Sequence, residues 1–265
     1  MMRNRFSAHL GYLFTELPLP ERVAAAANAG FTAIEHPQPF AIDTAQMNEA
    51  LKRHDLQFSQ IAAAVGDAAK SEKGLAALSG REVDFREAFK RSLDYALAVG
   101  CPLVHPMAGV PTTIEGSIDV YRRNMAFAVS ETASTPVKVL IEPISHAAVP
   151  GYAVSTIEEA VAIQDEFGAD RVRLLVDTFH GSASTVDLPN WLETNAHRVG
   201  HVHIADHPGR HEPGTGTFDF DRFLTALETN EYHGAIGFEY VPSTTTSESL
   251  RFLSGWTSRA TANQG

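Results

Sequence analysis

VKVLIEP (137–143), VRLLVDTFH (172–180), VGHVHIAD (199–206) and AIGFEYVP (235–242) are four apolar, strand-like runs, each ending on or carrying an acid or an imidazole. The residues are Glu142, Asp177, His203 and Glu239. A carboxylate at the exit of a buried strand is costly unless something charged compensates it. Four such residues on successive strands predict a divalent metal site at the mouth of a parallel barrel.

Outward from these runs, apolar stretches alternate with amphipathic helical ones along the chain. Further strands are expected at RFSAHL (5–10), FTAIEH (31–36), QFSQIAAA (57–64) and PLVHPMA (102–108), which makes eight in all. Helices are expected from Pro20 to the stop at Gly30, over 44–55, over 81–100, over 117–130, over 155–168, over 218–230 and near 247–256. In the helix over 81–100, Phe85, Phe89, Leu93 and Ala96 share one face. Ser155 and Glu158 fit a capping box. Eight strands alternating with helices in 265 residues imply an α/β fold, a single (β/α)₈ TIM barrel spanning 1–265 as one domain. A doubly wound open sheet would carry a glycine-rich phosphate turn after its first strand, where this chain reads HLGYLFTELP (9–18). The two longest aperiodic pieces, 65–80 and 207–217, each follow a strand and are expected to be binding loops on the catalytic face.

Composition narrows the function. A net charge of −11, from 21 basic and 32 acidic residues, disfavours a nucleic-acid backbone as partner. One cysteine, Cys101, rules out an intramolecular disulfide and suits a reducing compartment. The basic start MMRNR leads into an apolar stretch broken by His9 and Glu16, with no cleavage pattern, and no run approaches a membrane span. A soluble, cytoplasmic protein with a small-molecule partner and no membrane partner is expected; self-association into a homo-oligomer is left open.

Three carboxylates and one imidazole suit Mg²⁺ or Mn²⁺, and Mn²⁺ tolerates the nitrogen better. Zn²⁺, Co²⁺ and Ni²⁺ are compatible with the same donors. A histidine within a strand is more often a satisfied core residue than a ligand; His201 and His203 point the same way, and His201 is taken as the structural one. His9, Glu35, His36 and His105 fall near the ends of strands one, two and four, where they line a pocket or simply a polar barrel mouth.

IEPISH (141–146), VDTFH (176–180), GHVHIADHPGRHEPGTG (200–216) and FEYVP (238–242) resemble the hydroxypyruvate isomerases, xylose-isomerase-like barrels whose close relatives are the 2-oxo-tetronate isomerases. The resemblance runs from RFSAHLGYLF to EYVPSTTTSESLRF. It implies a metal-assisted aldose–ketose type isomerase. Glu142 and Glu239 match the catalytic acid/base pair, which also binds the metal, and Asp177 matches a further ligand. His203 stands where the isomerases usually have glutamine and the ketose epimerases histidine. His180 matches a substrate-binding histidine, and Arg210 a basic residue of the loop after strand seven. The loop AAAVGDAAKSEKG (62–74) keeps Gly66, Asp67, Glu72 and Gly74 of the family pattern but lacks its Asn, Pro and Trp.

The expected reaction moves a proton between the adjacent carbons of a small hydroxy-keto acid, hydroxypyruvate to tartronate semialdehyde being the type. Glu142 and Glu239 carry the proton, Asp177 and His203 hold the metal, and His180, Arg210, Glu35 and His105 contact substrate. Arg210 suits a substrate carboxylate, although a loop arginine paired with Glu212 fits the sequence equally well. Asp206 either orients His207 or Arg210 or serves the loop. A ketose 3-epimerase, a 2-oxo-tetronate isomerase, a metal-dependent phosphodiesterase and a non-catalytic carbohydrate-binding barrel are the competing readings.

Overall fold

The computed structural model describes residues 6–70 and 72–262. Nine strands are present among them: β1 (Phe6–His9), β2 (Ala33–Glu35), β3 (Gln57–Phe58), β4 (Ile61–Ala63), β5 (Leu103–Pro106), β6 (Lys138–Ile141), β7 (Val172–Asp177), β8 (Val199–Ile204) and β9 (Ala235–Phe238). Each of the eight expected strands is found, but the run 57–64 is split. Gln57 bonds through its N–H to Thr32 O, whereas Ile61–Ala63 pairs with β5, and Ser59–Gln60 between them belong to neither strand. Arg5, the first residue of the expected first strand, lies outside the described residues.

The chain groups into two compact units, one of 6–35, 49–57 and 176–262, the other of 36–48 and 58–175. In the first unit β2, β1, β9 and β8 lie side by side, all parallel. The register sets Ser7 beside Ala33 and Gly237, and Gly237 beside His203. Side chains alternate across a strand, so the sheet has two distinct faces. Phe6, Ile34, Val202, Ile204, Ile236 and Phe238 occupy one face, buried. There Phe238 packs ring to ring with Phe6, Phe31, Phe252 and Trp256 at centroid distances of 5.5, 5.5, 5.5 and 5.8 Å. Each such aromatic pair adds roughly 0.5–1.5 kcal/mol beyond its area burial. Ser7, His9, Glu35, His201, His203, Gly237 and Glu239 occupy the opposite face. That face is polar yet almost closed to water, which makes it the candidate site.

In the second unit β4, β5, β6 and β7 form a parallel row, with Leu103, Leu140 and Leu175 clustered in its core. The helix Glu82–Val99 buries Phe85, Phe89, Leu93 and Ala96, the face read from its period, and stops at Gly100. The capping box falls one residue later than expected, on Thr156 and Glu159: Thr156 Oγ1 accepts from Glu159 N, and the Glu159 carboxylate accepts from Thr156 N. The loop 65–80 is only partly a free loop. Ala76 and Ala77 donate their N–H groups to Met107 O and Ala108 O, and Asn124 Nδ2 donates to Ala76 O at 2.8 Å. Leu75, Ala76 and Ala77 are buried, so this half of the loop is fixed rather than a lid. Two α-helices among the described residues had no counterpart in the sequence reading: Thr178–Ala183 and Leu188–Asn195. No helix among the described residues is long and apolar enough to cross a membrane.

Candidate active site

Glu239 lies just beyond β9 and is surrounded by cationic or potentially cationic groups. Arg210 Nη2 makes a very short contact with its Oε2, His203 Nδ1 lies 3.5 Å from the same oxygen, and His9 Nε2 lies 3.3 Å from Oε1. Burial pushes the carboxyl pKa upward, but Arg210, His203 and His9 overcome it and hold the group well below the usual carboxylate range. Glu239 is therefore ionised at neutral pH.

Asp177 ends β7 and opens the helix Thr178–Ala183. Its Oδ1 accepts from Phe179 N at 2.7 Å and His180 N at 3.4 Å, an N-cap that fixes the side chain. Oδ2 is buried, has no hydrogen bond, and lies 3.6 Å from Arg210 Nη2 and 3.8 Å from His180 Nε2. Burial pushes the His180 pKa down, against the nearby Asp177 charge. The cap explains why an aspartate precedes T-F-H: one oxygen holds the helix and the other is left for the site.

His203 faces two carboxylates. Nδ1 turns toward Glu239, and Nε2 lies 3.0 Å from Glu35 Oε1. Burial lowers the His203 pKa, but Glu239 and Glu35 together raise it well above the ordinary imidazole value. His201 Nε2 lies 2.7 Å from Glu35 Oε2, and burial keeps its pKa low. Glu35, expected to face substrate, is fully enclosed, and its two oxygens face the two imidazoles. His36, the next residue, accepts from Gln38 N on Nδ1 at 2.9 Å.

Arg210 is held in place by the loop 207–217. Its backbone adopts a left-handed φ of 57°, uncommon for a side-chain-bearing residue. Arg210 N donates to Asp206 O at 3.0 Å and Arg210 O accepts from Val241 N at 2.8 Å, which pins the residue on both sides. The Asp206 carboxylate organises the loop: Oδ1 accepts from His207 N and Phe218 N, Oδ2 from Gly214 N and Gly216 N, at 2.8–3.1 Å. A Cβ on Gly216 would lie 2.3 Å from His207 O, so only glycine fits there. Asp206 thus serves the loop backbone. Glu212, the alternative partner considered for Arg210, binds Ser243 instead. The guanidinium sits 5.2 Å from the Tyr12 ring and 5.4 Å from the Phe179 ring, a cation–π setting that limits its movement.

Asp177, His203 and Glu239 each offer a ligand atom within 4.8 Å of the others. Together with the orphaned Asp177 Oδ2, this donor set fits a hard divalent ion. In the second unit Glu142 is buried just after β6, with His105 Nδ1 3.6 Å from its Oε2. Burial, with the Glu142 charge nearby, pushes the Tyr152 phenol above its ordinary range, and its oxygen accepts from Ala108 N. His9 is the residue whose place beside Glu239 was not read from sequence. Its signal was the alternation of Ser7 and His9, which puts both on the polar face.

A sequence-family model described as "Xylose isomerase-like TIM barrel" matches residues 23–256. The chain belongs to this family. The xylose isomerase-like TIM barrel assignment agrees with the α/β barrel expected from the alternation of strands and helices. The 2-oxo-tetronate isomerase of Cupriavidus necator is 36% identical over 258 residues, covering 96% of this chain and 99% of its own. The hydroxypyruvate isomerase of Escherichia coli K12 is 31% identical, covering 94% and 98%. A crystal structure described as AP endonuclease, family 2, from Brucella melitensis superposes with a TM-score of 0.91 at 32% identity, over 96% of this chain and 99% of the other. The resemblance drawn from IADHPGRHEPGTG is therefore sound, and the two enzymes matched almost end to end are isomerases.

Proposed function

We propose that the protein isomerises a small hydroxy-keto acid of the hydroxypyruvate or 2-oxo-tetronate kind by moving a proton between adjacent carbons. The carrying observation is the ionised Glu239 beside the Arg210 guanidinium, a base next to a carboxylate-binding fork. Names of near-full-length relatives support the substrate class.

Asp177, His203 and Glu239 would hold a divalent ion, Mg²⁺ or Mn²⁺, and Glu142 is proposed to join them. A bound ion supplies positive charge that acidifies the substrate C–H and offsets the charge developing on its oxygens. The protein does the rest. Glu239 takes a proton from the hydroxyl-bearing carbon, leaving the substrate as an enediolate; a proton is delivered to the adjacent former carbonyl carbon, and the hydroxyl proton passes from the first oxygen to the second, so that the old hydroxyl becomes the new carbonyl. Glu142 is proposed as the partner in this exchange, so that one glutamate removes a proton and the other returns it. No atom is gained or lost, as isomerisation requires. His180 is proposed to bind a substrate oxygen, and His105 to act beside Glu142.

Arg210 is proposed to pair with the substrate carboxylate. Arg210→Ala should raise KM for hydroxypyruvate by about 10–100-fold, the loss of a charge-assisted pair, and leave KM for a neutral ketose unchanged. An equal rise for both substrates in steady-state assays would remove Arg210 from carboxylate recognition.

A ketose 3-epimerase is the second reading, favoured by the imidazole of His203 among the donors. Turnover of free ketoses but not hydroxypyruvate would establish it. A phosphodiester substrate is disfavoured by the net charge of −11.

A further inference from the structure

Glu35 is an ionisable group that the proton transfer does not use, and it is among the most enclosed residues of the chain. It starts on β2, yet its carboxylate reaches His201 and His203 on β8, crossing β1 and β9. The residues it crosses leave room for it. On β1 it meets Ser7, whose Oγ lies 3.3 Å from Oε2. On β9 it meets Gly237, where a Cβ would lie 2.2 Å from Glu35 Oε1. A serine and a glycine, in register with one another and with His203, open a channel across two strands that the Glu35 carboxylate fills. An ionised carboxylate with no solvent exposure is tolerated only against matched donors, and the donors here are the Nε2 atoms of His201 and His203.

We propose that Glu35 is a positioning residue that accepts the Nε2–H of His203, so that Nδ1 is the ring nitrogen presented to Glu239 and the metal position. The metal half of this statement rests on the function proposed above. An imidazole that binds a metal through one nitrogen keeps its N–H on the other, and the partner of that N–H decides which nitrogen is left for the ion. A carboxylate only accepts, so it selects N–H at both imidazole Nε2 atoms it meets. Carboxylate–histidine–metal arrangements fix ligand orientation in this way, and loss of the carboxylate typically costs 10–100-fold in metal affinity. His201, on the same face of β8 two residues away, occupies the second oxygen and keeps the carboxylate from rotating off His203.

Glu35→Gln keeps the size but replaces one acceptor oxygen with a donor NH₂, so one of the two imidazoles must present a lone pair at Nε2. Gly237→Ala pushes the carboxylate aside while keeping its charge, and serves as a second probe if Glu35→Gln folds poorly. Two measurements test the proposal on the full chain. ¹⁵N-edited NMR of histidine-labelled, metal-free protein should show a solvent-protected Nε2–H for His203, assigned by its loss in His203→Gln, and that signal should vanish or move in both variants. Titration calorimetry with Mn²⁺ should show affinity falling about 10–100-fold in both variants, with Glu35→Asp intermediate. A wild-type Nε2–H signal and wild-type affinity in Glu35→Gln and Gly237→Ala would overturn the proposal. So would a second equivalent of Mn²⁺ that disappears in Glu35→Gln, which would make the triad itself a metal site. A protected Nε2–H in a wild-type chain that binds no Mn²⁺ would sink the metal reading and leave the Glu35–His203 orientation standing.

Discussion

Glu239→Gln should lower kcat/KM for hydroxypyruvate by about 10³-fold or more, the scale set by removing a general base. The amide is isosteric and keeps an oxygen for the Arg210 contact, so the fold should survive. What it loses is the negative charge that Arg210, His203 and His9 together stabilise. An amide cannot accept a carbon-bound proton, so exchange of substrate hydrogen with solvent should fall in parallel with turnover. That parallel loss separates a base from a residue that only binds. Glu142→Gln should give the same double loss if it is the partner in the exchange. Full exchange with slow turnover in either variant would leave that glutamate as a metal or substrate contact only.

Asp206→Ala should both destabilise the protein and lower its activity. Four backbone N–H groups, of His207, Gly214, Gly216 and Phe218, end on this one buried carboxylate. Hydrogen bonds to a charged group contribute roughly 1.5–3 kcal/mol each, but water can reach part of an opened loop. A net loss of about 3 kcal/mol is expected, which for a chain of this size lowers Tm by roughly 6–12 °C. Activity should fall through Arg210, whose left-handed backbone is anchored within the same loop. Asp206→Asn is the informative control: its NH₂ would face two N–H donors, so it should behave more like the alanine variant than like wild type. Thermal unfolding and the KM for hydroxypyruvate test both halves, and unchanged values for Asp206→Ala would contradict the account of the loop.

The residues that made the fold legible are those with strict periodicity. HVHI, AIEH, FSAH and GFEY alternate polar with apolar, and this alternation gives the polar face and the aromatic face of the first unit. The helix over 81–100 was legible for the same reason. Leu188–Asn195 was not, because Pro189, Asn190, Thr194 and Asn195 hide a helix that buries only Leu188, Pro189 and Leu192. The capping box slipped by one because Ser155/Glu158 and Thr156/Glu159 both fit its spacing, and only backbone conformation separates them. In the site, Asp177, His203 and Glu239 were legible as strand-end residues, since a strand end needs no partner to be recognised. Glu35 was recognised by its position but not by its contacts. Its partners lie more than 160 residues away in sequence, and no local pattern records that Ser7 and Gly237 clear the space between.

The central claim is that this chain moves a proton between neighbouring carbons of a carboxylated substrate. The direct measurement is ¹H NMR of hydroxypyruvate, 2-oxo-tetronate and a free ketose, each incubated in D₂O with the Mg²⁺-loaded protein and again after chelation. The account predicts conversion of a carboxylated substrate to its isomer, deuterium entering at the carbons flanking the transfer, and loss of both on chelation. Folded, Mg²⁺-loaded protein that converts neither acid and places no deuterium in either would contradict it.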